Sequence, residues 1–326
     1  MKVCIVGAGA IGGFIGARLA AAGRSEVVAL ARGATLSALR THGWRLREGT
    51  TLRQAPCQAD DDPARLGVQD LVVIAVKGPA LPPLAPTLAP LIGAHTLVMP
   101  AMNGVPWWFG AGVPALEGQP LQSVDPGGCI AAAIPLQHVV GCVVHASTFT
   151  PEPGLVQLKT GQGLIVGESR GGRSDRVQAV ADRLSHAGFD VTHSADIRYD
   201  IWYKLWGNMT MNPISALTGA TIDQVLVDPL LRQFCTDAML EAAAIGARIG
   251  CPIEQTPEDR HAITSKLGAF KTSMLQDVEA GRAIELDSIA GAVHELGQRT
   301  GVAAPNVAAL LGLTRLFGRV RGLYPR

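Results

Sequence analysis

Paired cysteines, long apolar runs and blocks of like charge are all missing from this chain. The six cysteines (Cys4, Cys57, Cys129, Cys142, Cys235, Cys251) are scattered, with no C-x-x-C pair. That is the pattern of reduced, mostly buried thiols in a cytosolic protein, not of a disulfide framework. Cys142 and His145 would make half of a metal site, but no second Cys/His pair completes it. On a strand the two would also face opposite sides of the sheet, so no metal is expected. No run of about 20 uninterrupted apolar residues occurs, so no membrane span is expected. Charged residues make up only 17% of the chain and the formal net charge is +1. Without a clustered basic footprint, neither nucleic acid nor a membrane surface is an expected partner. Hydrophobic residues, at 48% of 326, are enough for a compact soluble protein. At about 100–200 residues per domain, two domains with separate cores are expected.

Glycine, in contrast, is plentiful at the start. MKVCIVGAGAIGGFIGARLAAAG opens basic and apolar like a secretory signal, but five glycines from Gly7 to Gly16 would make a poor signal helix. A different reading accounts for their positions. Lys2 to Val6 suits a buried parallel strand, Gly7-Ala8-Gly9-Ala10-Ile11-Gly12 follows at once, and FIGARLAAAG reads as a helix stopped by Gly23. This is G-x-G-x-x-G in its strand–turn–helix context. The first glycine permits the tight turn, the second lets a pyrophosphate approach the backbone, and the third lets helix and strand pack closely. Where the second strand (EVVALA, 26–31) ends, an NAD protein usually has Asp or Glu; here Arg32 stands, which suits a 2′-phosphate and favours NADP over NAD.

Further strands at 71–76 and 96–100 end in Lys77 and in Ala101-Met102-Asn103-Gly104. Ligands of open α/β sheets bind beyond such carboxyl ends, so Lys77 and Asn103 are candidates to face the cofactor. Beyond about residue 120, short β-rich runs (VVGCVVHASTF, GLVQL, GLIVG) suggest an antiparallel extension of the same sheet. From about Asp196 the signals are helical. Asp228-Pro229 starts a long helix closed by Gly250, Thr256-Pro257-Glu258-Asp259 starts another, and Gly281 and Gly301 read as stops. The expected fold is α/β: a Rossmann-type doubly wound sheet over residues 1–195 and an all-helical domain over 196–326, with a cleft between them.

The stretch KLWGNMTMNP (204–213) carries Lys204, Asn208 and Asn212 at a spacing of four. On a helix each step of four drifts by only about 40°, so the three form one polar stripe. The other faces carry Trp202, Leu205, Trp206, Met209 and Met211. Unpaired polar groups in such a setting would each cost several kcal/mol, roughly 2–7. A stripe lining a polar cleft removes that difficulty.

Together these residues resemble the ketopantoate reductase (2-dehydropantoate 2-reductase) family over nearly the whole chain. The resemblance rests on GAGAIG (7–12), AVK (75–77), NG (103–104), KLWGNMTMNP and SMLQDVEAGRAIELD (273–287). It implies NADPH-dependent reduction of a 2-oxo acid to a 2-hydroxy acid, with Lys204 as proton donor. It further implies that Asn208, Asn212 and Ser273 contact the substrate, and that Glu285 holds a substrate hydroxyl or the cofactor amide. Lys77 and Asn103 would lie near the nicotinamide and its ribose. Phe270 and Ile222 stand where family members often carry polar residues, which would make the pocket more apolar and keeps a less polar 2-oxo acid as a rival substrate. A non-catalytic NADP-binding sensor and an amino- or opine-type dehydrogenase are the competing readings. Monomer and homodimer are not distinguished, and Trp107-Trp108 has no assigned place.

Overall fold

The structure is a computed structural model that describes residues 1–325. The chain forms two compact units. The first comprises Met1–Met102 and Cys129–Asp200, and the second takes in Asn103–Gly128 and everything from Ile201 onward. Residues 103–128, which the sequence division at 195/196 puts with the nucleotide-binding half, therefore belong to the helical unit. The chain crosses between the units three times, after Met102, Gly128 and Asp200.

The first unit begins with β1 (Lys2–Val6), α1 (Ala10–Ala21), β2 (Glu26–Leu30), α2 (Gly33–His42), β3 (Trp44–Glu48), β4 (Thr51–Ala55), β5 (Gln58–Asp60), β6 (Gln69–Ile74) and β7 (Ile92–Pro100). Five of these strands make a sheet of order β5-β2-β1-β6-β7, parallel throughout. Val3 and Ile5 of β1 enter one core with Leu71 and Val73 of β6. The alternating residues Cys4, Val6, Val72 and Ile74 are also buried, as both faces of a parallel sheet must be. Strand order reverses at β1, which puts the turn after β1 at the topological switch point.

The β-rich segments do not extend this sheet. β8 (Val140–Glu152), β9 (Leu155–Glu168) and, after α3 (Asp175–His186), β10 (Asp190–Ser194) build a second sheet together with β3 and β4. β8 runs antiparallel along one edge of β9, while β3 and β10 lie parallel along successive stretches of the other. One isolated bridge, Val98 to Val139, links the two sheets. The expected antiparallel extension is thus a separate mixed sheet. The reason is α1: its glycines let the second sheet lie directly on it. A Cβ on Gly16 would stand 2.5 Å from the Trp44 ring, and one on Gly13 would stand 2.6 Å from a Val156 methyl.

A buried arginine ties this assembly together. Arg18 of α1, 9% exposed, donates through Nε to Glu48 of β3 at 3.1 Å and through Nη2 to Gln162 of β9 at 3.0 Å. It also reaches the Gly188 carbonyl and lies 4.8 and 5.1 Å from the centroids of the Phe14 and Phe189 rings.

The second unit is helical. α4 (Ile197–Thr218) starts in the first unit and runs into it, followed by α5 (Ile222–Val227), α6 (Pro229–Arg248), α7 (Pro257–Ser265), α8 (Ser273–Glu279), a π turn (Asp287–Gly291), α9 (Ala292–Thr300) and α10 (Pro305–Val320). The starts follow the capping chemistry legible in the sequence. The Asp228 carboxylate accepts from Leu230 and Leu231 N–H, and Thr256 and Asp259 form a reciprocal capping box. Residues 103–128 are pinned to α9: Glu295 accepts from the Gln122 and Ser123 N–H groups, both at 2.8 Å, and Arg299 donates to the Leu116 and Pro120 carbonyls. Trp107 and Trp108 are buried in this unit. No helix among the described residues is long and apolar enough to cross a membrane.

Burial raises the Glu48 carboxyl, but hydrogen bonds and charge from Arg18 and Arg53 outweigh it and hold the group below the usual carboxylate range. A carboxylate depressed on folding stabilises above its unfolded pKa, and that stability is lost as pH falls through the folded value. Arg18→Met should therefore cost about 3 kcal/mol in urea unfolding at pH 7, the scale for breaking a buried pair. The gap to the wild type should narrow as pH falls through the depressed pKa of Glu48, because the wild type then loses the contribution that the variant already lacks.

Candidate active site

In the first unit the turn after β1 has the shape the motif demands. Gly7 has φ +88° and donates its N–H to the Leu30 carbonyl at 3.0 Å. A Cβ on Gly12 would sit 2.1 Å from the Gly7 carbonyl oxygen and 3.0 Å from Ile5, so only glycine lets α1 press onto β1 here. A Cβ on Gly9, by contrast, would meet nothing within 4 Å, so the chain leaves open space in front of the turn. Gly9 is the N-cap of α1, and no side chain caps this end. Its first N–H groups are the orphan donors that suit an anion. Ala8 is buried, and Ala10 and Ile11 are half-buried at the helix start.

Arg32 directly precedes α2, is exposed, and forms no ion pair with a described residue. Lys77 is half-buried just beyond the carboxyl end of β6, at the start of the turn Gly78–Ala80. An open glycine turn, an uncapped helix end and a free guanidinium after β2 together fit a dinucleotide that carries a phosphate on its adenosine ribose.

In the second unit, α4 carries the polar stripe. Trp202, Leu205, Trp206, Met209 and Met211 are all buried, while Lys204 and Asn208 are half-buried and Asn212 is 5% exposed. Lys204 Nζ donates to Asn103 Oδ1 at 2.9 Å. Asn103, expected to serve the cofactor, is therefore also brought onto the lysine. A neutral amide acceptor orients an ammonium without cancelling its charge. Neither Asn208 nor Asn212 hydrogen-bonds through its amide to another described residue.

The next residue fixes Asn103. Gly104 has φ +81°, and a Cβ on it would fall 2.4 Å from the Ser288 carbonyl oxygen. That same carbonyl accepts the Val105 N–H at 2.8 Å. The Asn-Gly turn thus docks on the backbone three residues beyond Glu285, which is half-buried and engaged in a polar interaction of its own. Ser273 opens α8 and is exposed. Thr272, not Ser273, caps that helix through Leu275 N–H at 3.1 Å, which leaves the Ser273 hydroxyl out of the capping. Ile222 and Phe270 do not behave as free lining. Ile222 is 4% exposed in an apolar cluster with Met211 and Ile214, and Phe270 packs against that cluster while its carbonyl accepts the Ile222 N–H.

Residues 3–111 match the family model described as ketopantoate reductase PanE/ApbA, and residues 196–317 match the model of its C-terminal domain. A 2-dehydropantoate 2-reductase of Mesorhizobium japonicum is 43% identical over 326 residues, covering 99% of this chain and 100% of the relative. The chain belongs to the ketopantoate reductase family. It is accordingly an oxidoreductase. A crystal structure from Ralstonia solanacearum MolK2, named for ketopantoate reductase, superposes with a TM-score of 0.95 at 54% identity and covers 99% of both chains. A D-mandelate dehydrogenase solved with NADH and anilino(oxo)acetate superposes at 0.83 with 21% identity, a likeness of fold.

Sequence reasoning found the lysine stripe of this family member but missed what seats it. The Ser288 carbonyl left no mark, because any residue carries one. Gly104 did leave a mark: an Asn-Gly pair after a strand announces a turn that needs positive φ. Gly104→Ala should lower stability by about 2 kcal/mol, from left-handed strain and the clash with Ser288. Urea unfolding measures the loss, and unchanged stability would mean that the turn can form without glycine.

Proposed function

We propose that this protein reduces a 2-oxo acid to the 2-hydroxy acid with NADPH, most specifically 2-dehydropantoate to pantoate, and that Lys204 is the proton donor. The observation that carries the reading is the 2.9 Å bond from Lys204 Nζ to Asn103 Oδ1 on a helix otherwise buried in apolar contacts. The open turn at Gly9 and the unpaired Arg32 support NADP as the coenzyme, and the 43% identical relative supports the substrate.

When bound, the nicotinamide supplies the hydride. The chain's own residues do the rest. The Lys204 ammonium, aimed by Asn103, stabilises negative charge growing on the carbonyl oxygen and then gives that oxygen a proton. Asn208, Asn212 and the Ser273 hydroxyl hold the substrate by neutral hydrogen bonds, which orient it without binding it too tightly for release. Glu285 would hold a substrate hydroxyl or the coenzyme amide, and Lys77 would serve the nicotinamide or its ribose.

Two substitutions test separate parts of this reading. Lys204→Ala should lower kcat at least about 10²-fold, the lower end for general acid catalysis, with the NADPH Kd nearly unchanged. Equal rates in mutant and wild type, followed at 340 nm with a panel of 2-oxo acids, would remove the lysine from the reaction. Arg32→Asp should shift the kcat/KM ratio from NADPH toward NADH. An unchanged ratio would take the guanidinium away from the 2′-phosphate.

A further inference from the structure

Arg260 of α7 has no carboxylate or hydrogen-bond partner among the described residues and is set against the helix that carries Lys204. The acids on either side of it are already committed. Glu258 pairs with Arg232, and Asp259 closes the capping box with Thr256. No described residue forms a salt bridge or hydrogen bond with the Arg260 side chain, and its Nε is buried with no acceptor. The guanidinium instead stacks on the Tyr203 ring, 4.8 Å from the centroid, while the Tyr203 hydroxyl donates to Gln255 at 2.6 Å.

Its resting place is Gly207. A Cβ there would lie 2.9 Å from Arg260 Nε and 3.0 Å from Nη2, so the missing side chain is what makes room for the guanidinium. Gly207 is three residues beyond Lys204 and immediately before Asn208. Residues three apart on a helix are surface neighbours, with Cβ atoms about 5–6 Å apart. Tyr203 and Gly207 flank Lys204 on the side away from Asn208 and Asn212, so the guanidinium of α7 lies one helix row from the lysine end of the stripe. Placing a guanidinium against a helix and a ring removes water from it, and among the described residues no counter-charge offsets the loss. Its planar fork is matched by a carboxylate.

We propose that Arg260 binds the carboxylate of the 2-oxo acid and is the residue by which this enzyme prefers an acid to its uncharged analogue. This inference rests on the reductase reading above. The stack on Tyr203 holds the fork flat, and the Gly207 gap sets its height over α4. Asn208 and Asn212 are then left for the neutral parts of the substrate.

The test uses the full chain, NADPH, and matched pairs of a 2-oxo acid and its 2-oxo carboxamide. Arg260→Met should raise KM for the acid about 10- to 100-fold, the scale for a hydrogen bond to a charged group. kcat should stay within a few-fold, and the NADPH Kd and Tm should not move. The wild-type preference for acid over amide should collapse in this variant, and Arg260→Lys should recover only part of it, because an ammonium lacks the fork. An unchanged KM and an unchanged acid-to-amide ratio would overturn the assignment. So would a joint loss of Tm and NADPH affinity that Arg260→Lys fully repairs, since that describes a prop for α4. If the wild type reduces none of the acids, the reductase reading fails and this inference falls with it. If the wild type is active and the Arg260 variants match it, only the present inference fails.

Discussion

The contact between Lys204 and Asn103 joins the long helix of the second unit to a turn a hundred residues earlier in the chain, and much of that unit's packing serves to hold it. The helix around Lys204 is apolar on its other faces, so packing fixes its position firmly. The amine donates to the Asn103 amide oxygen, a contact that orients it. Asn103 is in turn immobilised by its neighbour. Gly104 adopts a left-handed conformation against the Ser288 carbonyl, and the segment that follows is tied to α9 through Glu295 and Arg299. Short-range polar contacts thus secure a long-range placement: residue 103 beside residue 204.

The first unit solves a different problem with glycine. Glycine in a helix interior costs about 1 kcal/mol relative to alanine, and α1 contains three of them, Gly12, Gly13 and Gly16. Each makes a close approach possible: Gly12 to the turn after β1, and Gly13 and Gly16 to Val156 and Trp44 of the second sheet. The helix is thereby packed on two sides, and its N-terminus is held at the switch point of the parallel sheet. Arg18 completes the arrangement by joining α1 to β3 and β9 in a place where few polar groups are tolerated.

The parts legible in the sequence were those set by local chemistry. G-x-G-x-x-G announced the strand, turn and helix because each glycine has its own steric reason. Asp228 and Thr256 announced helix starts because capping is decided within three residues. The four-residue spacing of Lys204, Asn208 and Asn212 announced a stripe because helix geometry alone produces one. The β-rich runs were recognised as strands, but not their partners. β9 is paired by β3, which lies more than a hundred residues earlier, and no local pattern carries that information. Ile222 and Phe270 looked like pocket lining, whereas the fold uses them to fill an apolar cluster.

The sequence by itself determined the main element types, the coenzyme turn, the polar stripe of Lys204, Asn208 and Asn212, and the family. It could do so because propensity, capping and periodicity act over a few residues. Only the tertiary structure decided that Asn103 meets Lys204, that residues 103–128 join the helical unit, and that the second sheet lies on α1. It alone revealed that Arg260 rests on Gly207 with no counter-charge among the described residues, an arrangement between residues 53 positions apart. Such pairings follow from which surfaces exclude water together, a property of the whole packed chain.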